Sequence, residues 1–327
     1  MTATSTGTAL EALMVGRVGV DLYPEQPGPL ADVRTFAKSL GGTATNVAVG
    51  AARLGRRTAI LTKVGPDGFG DYVRTALTAF GVDPTYVGTA VGLQTPVVFC
   101  ELNPPEDPPL LFYRAPIAPD LMLTGADVPW DVVREVPLLW VTGTGASAEP
   151  ARTTQLQMLA ARGRPEPGSG RYTVLDLDWR PMFWSAPELA RTEYEAMLEH
   201  VSVVVGNRAE VEVAVGTSDP LEAARRLLAH GVELALVKKG AEGVLVATAD
   251  SMSTVPPHLV KVVCGLGAGD AFGGALVDGL LGGLDPVHIA ERANAAGAIV
   301  AARLACADAM PTRLELDELL TSRKAPA

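Results

Sequence analysis

The residues of this chain best suited to chemistry are Gly265-Leu266-Gly267-Ala268-Gly269-Asp270. A β-branched stretch (Val260, Val262, Val263) precedes them and reads as a strand or extended segment. Apolar residues at helical spacing (Ala271, Phe272, Ala275, Leu276, Leu280) follow. A glycine-rich turn that opens a helix leaves backbone N–H groups bare and adds the positive end of the helix dipole, so an anion is held there. Asp270 puts a carboxylate beside that site, which is unfavourable unless the carboxylate has a task. Accepting the proton of a hydroxyl that attacks a phosphoryl group is such a task. The same residues also suit a plain turn with an aspartate cap. The run is not a dinucleotide fingerprint, whose third glycine would fall on Asp270, and no Gly-Lys-Ser/Thr of a P-loop occurs.

Other constellations share this double character. Gly41-Gly42 leads into a helix carrying Asn46 one turn on, which suits close approach of a polyol or simply a tight turn. Asp21 follows the first strand and reads as a hydroxyl ligand or a cap. Asn207-Arg208-Ala209-Glu210 follows a valine run. An amide and a carboxylate three residues apart suit a water-ligated Mg²⁺ with its phosphates, and equally a capping box. Lys238-Lys239-Gly240-Ala241-Glu242-Gly243 follows another strand, where lysines beside a glycine turn meet phosphates or solvent.

These groups need a scaffold. Strand-like runs (Leu13–Val20, Thr58–Val64, Leu138–Thr142, Tyr172–Leu177, Val201–Val205, Leu234–Val237) alternate with helical patterns such as Thr43–Leu54, Phe69–Phe80, Ala268–Gly283 and Val287–Leu304. That alternation implies an α/β fold, a mostly parallel sheet covered by helices on both faces, with ligands beyond the carboxyl ends of its strands. Thr95–Leu102 and Leu110–Arg114 have no helix between them and, with Val33–Leu40, read as a β flap. We expect a flexible tail over 1–12 and a single domain over 13–327, its lid formed from about 21–40 and 95–115.

Composition restricts the function classes. With 327 residues, 48% hydrophobic and 20% charged, the chain supports a large core. A net charge of −10 leaves no broad phosphate-neutralising face, so no nucleic-acid partner is expected. No apolar run approaches the ~20 residues of a membrane span, and a cytoplasmic location is expected. Cys100, Cys264 and Cys306 are scattered and read as reduced thiols, and the histidines share no ligand spacing, so a metal site built from protein ligands alone is not expected.

Taken in order, Gly-Gly-x-x-x-Asn near 45, Asn-x-x-Glu near 207, Lys-Gly-x-x-Gly near 240 and Gly-Ala-Gly-Asp near 268 resemble the PfkB/ribokinase family of sugar kinases, from about Val15 to Thr312. The resemblance implies a ribokinase-like fold and ATP-dependent phosphorylation of a primary hydroxyl. Asp270 takes the position of the catalytic base, and Gly267, Ala268 and Gly269 that of the anion hole. Asp21, Gly42 and Asn46 fall at the substrate, Asn207, Lys239, Gly240, Gly243 and Asn294 at the nucleotide, and Glu210 at Mg²⁺ through water. A monovalent cation, K⁺, belongs to the same expectation, although the family's Asp-Thr ahead of the loop is Cys264-Gly265 here. A homodimer through the lid is also expected, because exposed strands seek partners.

Further segments, among them Gly16-Arg17-Val18-Gly19-Val20-Asp21-Leu22-Tyr23-Pro24 and Arg303-Leu304-Ala305-Cys306-Ala307-Asp308-Ala309-Met310-Pro311, resemble the inositol-catabolic branch of the family. That branch implies a keto-acid substrate whose terminal CH₂OH reacts at the 6-hydroxyl while its carboxylate is held. Arg114 and Arg180 are the first groups expected to hold it, ahead of Arg17 and Lys38. Asp178 stands where the related 2-keto-3-deoxygluconate kinases have Asn in an Asp-x-Asn-x-Arg run. The rival expectations are 2-keto-3-deoxygluconate kinase, fructokinase, and a non-catalytic sugar or nucleotide sensor on the same fold.

Overall fold

The computed structural model describes residues 9–26 and 28–322. Its strands are, in chain order, β1 (Ala12–Val15), β2 (Gly19–Pro24), β3 (Phe36–Gly41), β4 (Thr58–Val64), β5 (Val82–Asp83), β6 (Val87–Thr89) and β7 (Val97–Cys100). The series continues with β8 (Leu110–Tyr113), β9 (Leu138–Thr142), β10 (Tyr172–Asp176), β11 (Val203–Asn207), β12 (Leu234–Lys238), β13 (Val244–Ala247) and β14 (Met252–Val255). The helices are α1 (Thr43–Arg53), α2 (Gly68–Ala79), α3 (Trp130–Glu135), α4 (Ala151–Arg162) and α5 (Pro187–Leu198). They are followed by α6 (Arg208–Val215), α7 (Pro220–Ala229), α8 (Ala268–Leu281), α9 (Pro286–Ala301) and α10 (Arg313–Ser322).

The large sheet has the order β14-β13-β12-β11-β10-β9-β1-β4-β5, with β6 also on β4. Its pairings are parallel from β12 to β5, and the β12–β13–β14 end is antiparallel. Side-chain alternation divides the core into two layers. Ala12, Met14, Leu138 and Trp140 face one, under α1, α8 and α9. Leu13, Val15, Leu139 and Val141 face the other, under α4 to α7.

A second sheet, β3-β2-β7-β8, carries the flap strands. Asp21, Ser39, Val98 and Phe112 pair across it and share its inner face. Leu22, Lys38, Phe99 and Leu111 share the outer face.

Three expectations about elements need correction. Leu13–Val20 is not one strand but β1 and β2, in different sheets. The break falls at Gly16, whose φ of 149° suits glycine and where a Cβ would lie 2.7 Å from Thr142 Oγ1. No strand forms over 260–263: Pro256 and Pro257 follow β14 and cannot donate to a ladder, and the N–H groups of Val263 and Cys264 both donate to the Ala301 carbonyl, at 2.8 and 3.2 Å. The tail expected over 1–12 is anchored at its inner end, where the Glu11 N–H donates to the Arg57 carbonyl at 2.9 Å and Ala12 opens β1. Residues 1–8 of that tail lie outside the described residues.

Candidate active site

Successive strands deliver their chemistry at one edge of the large sheet. Arg17 follows β1, Thr144 follows β9, Asp176 ends β10 with Asp178 and Arg180 just beyond, Asn207 ends β11, and Lys238 ends β12. This is the carboxyl edge of the parallel strands, where chain order reverses on either side of β1, the place an open α/β sheet leaves a crevice.

The glycine run reaches this edge from the other direction. Gly267 caps α8 with φ 85°, so Ala268, Gly269 and Asp270 form the helix's first turn, whose N–H groups have no partner within the helix. Asp270 Oδ2 accepts a hydrogen bond of 2.7 Å from Asn46 Nδ2, on the first turns of α1. Two glycines one turn further along set this meeting. A Cβ on Gly274 would lie 2.9 Å from the Gly50 backbone, so α1 and α8 cross in direct backbone contact. Burial raises the Asp270 pKa above the ordinary carboxylate value. Asn46, Arg180 and Arg17 pull it back down, while Asp178 adds to the rise.

Asp21 lies on the same side, and the Gly41-Gly42 pair has a steric reason. A Cβ on Gly41 would overlap the Asp21 carboxyl group, and one on Gly42, at φ 105°, would overlap the Arg17 carbonyl. Burial pushes the Asp21 pKa up to about 7, against the opposing pull of Arg17, with Asp270 pushing the same way as burial.

A cavity of ≈ 190 Å³ joins the strand ends to the glycine loop. Thr43, Asp178, Arg180, Glu210, Lys238 and Asp270 line it, together with Asn207, Gly267 and Gly269. The flap closes it from above through Glu106, Asp107 and Pro108, and the Gly265 N–H donates to the Pro105 carbonyl at 2.7 Å. A side chain at position 265 would collide with the Glu106 carbonyl, so glycine there lets the flap turn dock on the loop. Cys264 is buried with Tyr23, Cys100 and Cys306.

Asn207 and Glu210 make both halves of a capping box. Asn207 Oδ1 accepts from the Glu210 N–H at 3.0 Å, and Glu210 Oε2 accepts from the Asn207 N–H at 2.6 Å. Both still line the cavity, so the cap fixes them in place. Of the two lysines in the Lys238-Lys239 pair, Lys238 points into the cavity, and its Nζ lies 3.3 Å from where a Cβ on Gly269 would be. Burial would lower its pKa, but Glu210, Asp176 and Asp270 outweigh burial and the net shift is upward. Asp176, which the sequence did not single out, is buried and its pKa is raised well above the ordinary value by burial, with Lys238 opposing. Strand parity carries the signal for both. Val174 and Leu236 face the α8 layer, and the next residues on that face are Asp176 and Lys238.

Lys239 points elsewhere: its Nζ donates to Thr254 Oγ1 at 3.2 Å, on the exposed hairpin. Gly240 and Gly243 form the turn behind it at φ 60° and 86°. A Cβ on Gly243 would strike the Val255 carbonyl, and Asn294 Nδ2 donates to the neighbouring Pro256 carbonyl at 2.9 Å. These four residues form a second group beside the cavity and do not line it.

Asp178 is held at φ 36°, an uncommon conformation for a non-glycine residue. Its oxygens accept from Thr43 Oγ1 at 3.1 Å and Thr144 Oγ1 at 2.5 Å. Arg180 Nε is 3.4 Å from Asp178 Oδ1, an ion pair without hydrogen-bond geometry. Arg114 is engaged otherwise, donating through Nη2 to both oxygens of Asp120 at 3.0 and 2.9 Å. It lines a separate depression with Leu22, Phe99 and Tyr113. Lys38 Nζ sits 4.1 Å from the Tyr72 ring centroid, on the outer side.

Among the described residues no three His, Cys, Asp or Glu side chains are placed to hold a metal ion by themselves. The arrangement is that of a sugar kinase: a helix N-terminus at the strand ends, a half-buried carboxylate on its first turn, and a flap over both. The chain belongs to the pfkB family of carbohydrate kinases, whose model matches residues 10–313. The 5-dehydro-2-deoxygluconokinase of Clostridium tetani is 30% identical over 323 residues, 96% of this chain and 94% of that protein. The crystal structure of a PfkB protein from Polaromonas sp. JS666 superposes with TM-score 0.82 at 27% identity, covering 94% of this chain and 99% of that one. Aminoimidazole riboside kinase from Salmonella enterica, solved with aminoimidazole riboside and an ATP analog, superposes with TM-score 0.79 at 25% identity, over 95% and 99% of the two chains.

Proposed function

We propose that this kinase transfers the γ-phosphoryl group of ATP to the 6-hydroxyl of 5-dehydro-2-deoxygluconate, with Asp270 as general base. The observation that carries the reading is the Asp270 carboxylate. It is half-buried on the first turn of α8, beside N–H groups that have no partner within the helix and in a cavity that also holds Arg180 and Lys238. The substrate's hydroxyl lies against the Asp270 carboxylate, which Asn46 holds in place at 2.7 Å. Its oxygen attacks the γ-phosphorus, Asp270 takes its proton, and the bond to the bridging oxygen of ADP breaks. The amides of Gly267, Ala268 and Gly269, at the cap and first turn of α8, stabilise charge on the transferring group. Lys238 meets the phosphates, Asn207 orients them, and Gly240, Gly243 and Asn294 border the nucleoside. The name of the Clostridium tetani relative supports the choice of substrate.

The donor set fits a magnesium ion bound mainly by water and phosphate, with Glu210 and Asp176 as the nearby carboxylates. When bound, the ion neutralises charge on the phosphates. Cys264 and Gly265 supply no side-chain oxygen for a potassium ion. The outer face of the small sheet, with Phe36 packed 5.3 Å edge-on to Phe99 and Tyr113 60% exposed, supports pairing with a second copy. We place the enzyme in the cytoplasm, where ATP is available. Among the described residues no helix is long and apolar enough to cross a membrane.

ADP release from Mg-ATP, measured in parallel with 5-dehydro-2-deoxygluconate, 2-keto-3-deoxygluconate and fructose, tests the reading. Selective turnover of the first compound is expected. Preference for either of the others moves the substrate, and ATP binding without turnover of any of the three indicates a sensor.

A further inference from the structure

Arg17 occupies the break between β1 and β2 and is 7% exposed. Burial lowers its pKa, and Arg114 and Arg180 push the same way, while Asp178 and Asp21 oppose them. Its bonding is incomplete for so buried a cation. Nη2 donates to Thr43 Oγ1 at 2.9 Å, the distance to Asp178 Oδ1 is 3.9 Å, and Nε–H finds no acceptor among the described residues. Asp178 does not complete the set: held by Thr43 and Thr144, it stands 3.9 Å from Arg17 Nη2, an ion pair without a hydrogen bond. Phe112 and Phe183 stand 5.7 and 5.8 Å from the guanidinium carbon and shield it from water. Arg114, by contrast, is neutralised by Asp120.

A buried charge without a matching acceptor is unfavourable unless a ligand completes it. The missing acceptor must be anionic, and a carboxylate matches the guanidinium fork with two parallel bonds. Thr43, Asp178 and Arg180 all line the catalytic cavity, and Arg17 influences the titration of both Asp21 and Asp270. We infer that Arg17 is the residue that selects a carboxylate-bearing substrate, by binding the carboxylate at the end of the molecule opposite the reacting hydroxyl. Asp178, held by two threonines, orients Arg17 and Arg180 toward it. This inference rests on the proposal that the substrate is a keto-acid.

The test is a cycle between enzyme and substrate. KM and kcat are measured for wild type, Arg17→Met and Arg17→Lys, with the keto-acid and with its primary amide, which lacks the charge. Arg17→Met is expected to raise KM for the keto-acid about 10- to 100-fold, the reach of charge-assisted bonds to one group, with a smaller change in kcat. Amidation should cost wild type a similar factor and Arg17→Met almost nothing more, with Arg17→Lys in between. Independent, multiplying penalties would overturn the inference. If Arg17→Met does not fold, the same comparison on Arg17→Lys decides. If wild type fails to phosphorylate the keto-acid, the proposed substrate falls. Calorimetry of keto-acid binding then decides separately: binding that weakens in the variants supports Arg17, and no binding to wild type removes it.

Discussion

Asn46 on α1 donates to Asp270 on α8 at 2.7 Å, and this one bond ties together two motifs 224 positions apart. It couples the residue proposed to meet the substrate's hydroxyl with the one proposed to take its proton. It also holds the carboxylate partly against the upward push of burial.

Asp270→Asn is expected to lower kcat by about 10²–10⁴-fold, the usual reach of general acid–base catalysis. Its folded pKa is raised, so the carboxylate's contribution to stability is present at low pH and is lost as pH rises through that pKa. The variant should therefore melt no lower than wild type at pH 8, as read by calorimetry. Near-normal turnover would remove Asp270 from the role.

Asn46→Ala removes a contact that lowers the Asp270 pKa. The base must be ionised to act, so the acid limb of the pH profile of kcat/KM should move to higher pH. An unmoved limb with only a raised KM would mean that Asn46 binds substrate without tuning the base.

Gly274→Ala would place a methyl group 2.9 Å from the Gly50 backbone. The two helices must part, at about 1–3 kcal/mol for overpacking. Denaturant titration should show that loss, together with a fall in kcat from a lengthened Asn46–Asp270 contact. Lost stability with unchanged kcat would show that the crossing does not set the base.

Asp21→Asn should stabilise the protein above neutral pH. Burial raises the Asp21 pKa from 3.8 to about 7, so its unfavourable contribution grows as pH climbs through that interval. At about 1.4 kcal/mol per pKa unit, the gain at pH 8 is on the order of 1–4 kcal/mol. The difference in melting temperature between variant and wild type should shrink toward pH 4. A constant difference across pH would contradict the assignment.

Lys238→Met should raise KM for Mg-ATP about 10- to 100-fold, the scale of one charge-assisted contact. It should also lower stability, because Asp176 and Glu210 lose their buried counter-charge. Lys239→Met, whose ammonium rests on Thr254 outside the cavity, should change KM for ATP little. The opposite ranking would return the phosphate contact to Lys239.

Short-range pattern determines strands and helices where burial is complete. Thr58–Val64 and Leu138–Thr142 are strands with the bounds their apolar runs imply, because both faces of a central parallel strand are covered. The glycine loop was equally legible, since a turn that opens a helix needs only neighbours in sequence. Local pattern failed where a distant partner decides. A long apolar run does not reveal that Gly16 sends β2 into another sheet, nor that Ala301 takes the amides of Val263 and Cys264.

For single side chains the division was sharper. The motifs at 41–46, 207–210 and 265–270 are visible in residue type and spacing, but each suits a plain turn or cap equally well, and only their order along the chain resembles a kinase. Which of Lys238 and Lys239 enters the cavity depends on strand parity and on α8 lying across that face. Which arginines are left incomplete depends on acceptors far along the chain: Arg114 meets Asp120, whereas Arg17 and Arg180 both face Asp178, which two threonines already hold. Charge and size are written in the sequence, but a guanidinium's unmet hydrogen-bonding capacity is a property of everything packed around it, and only the tertiary structure decides that.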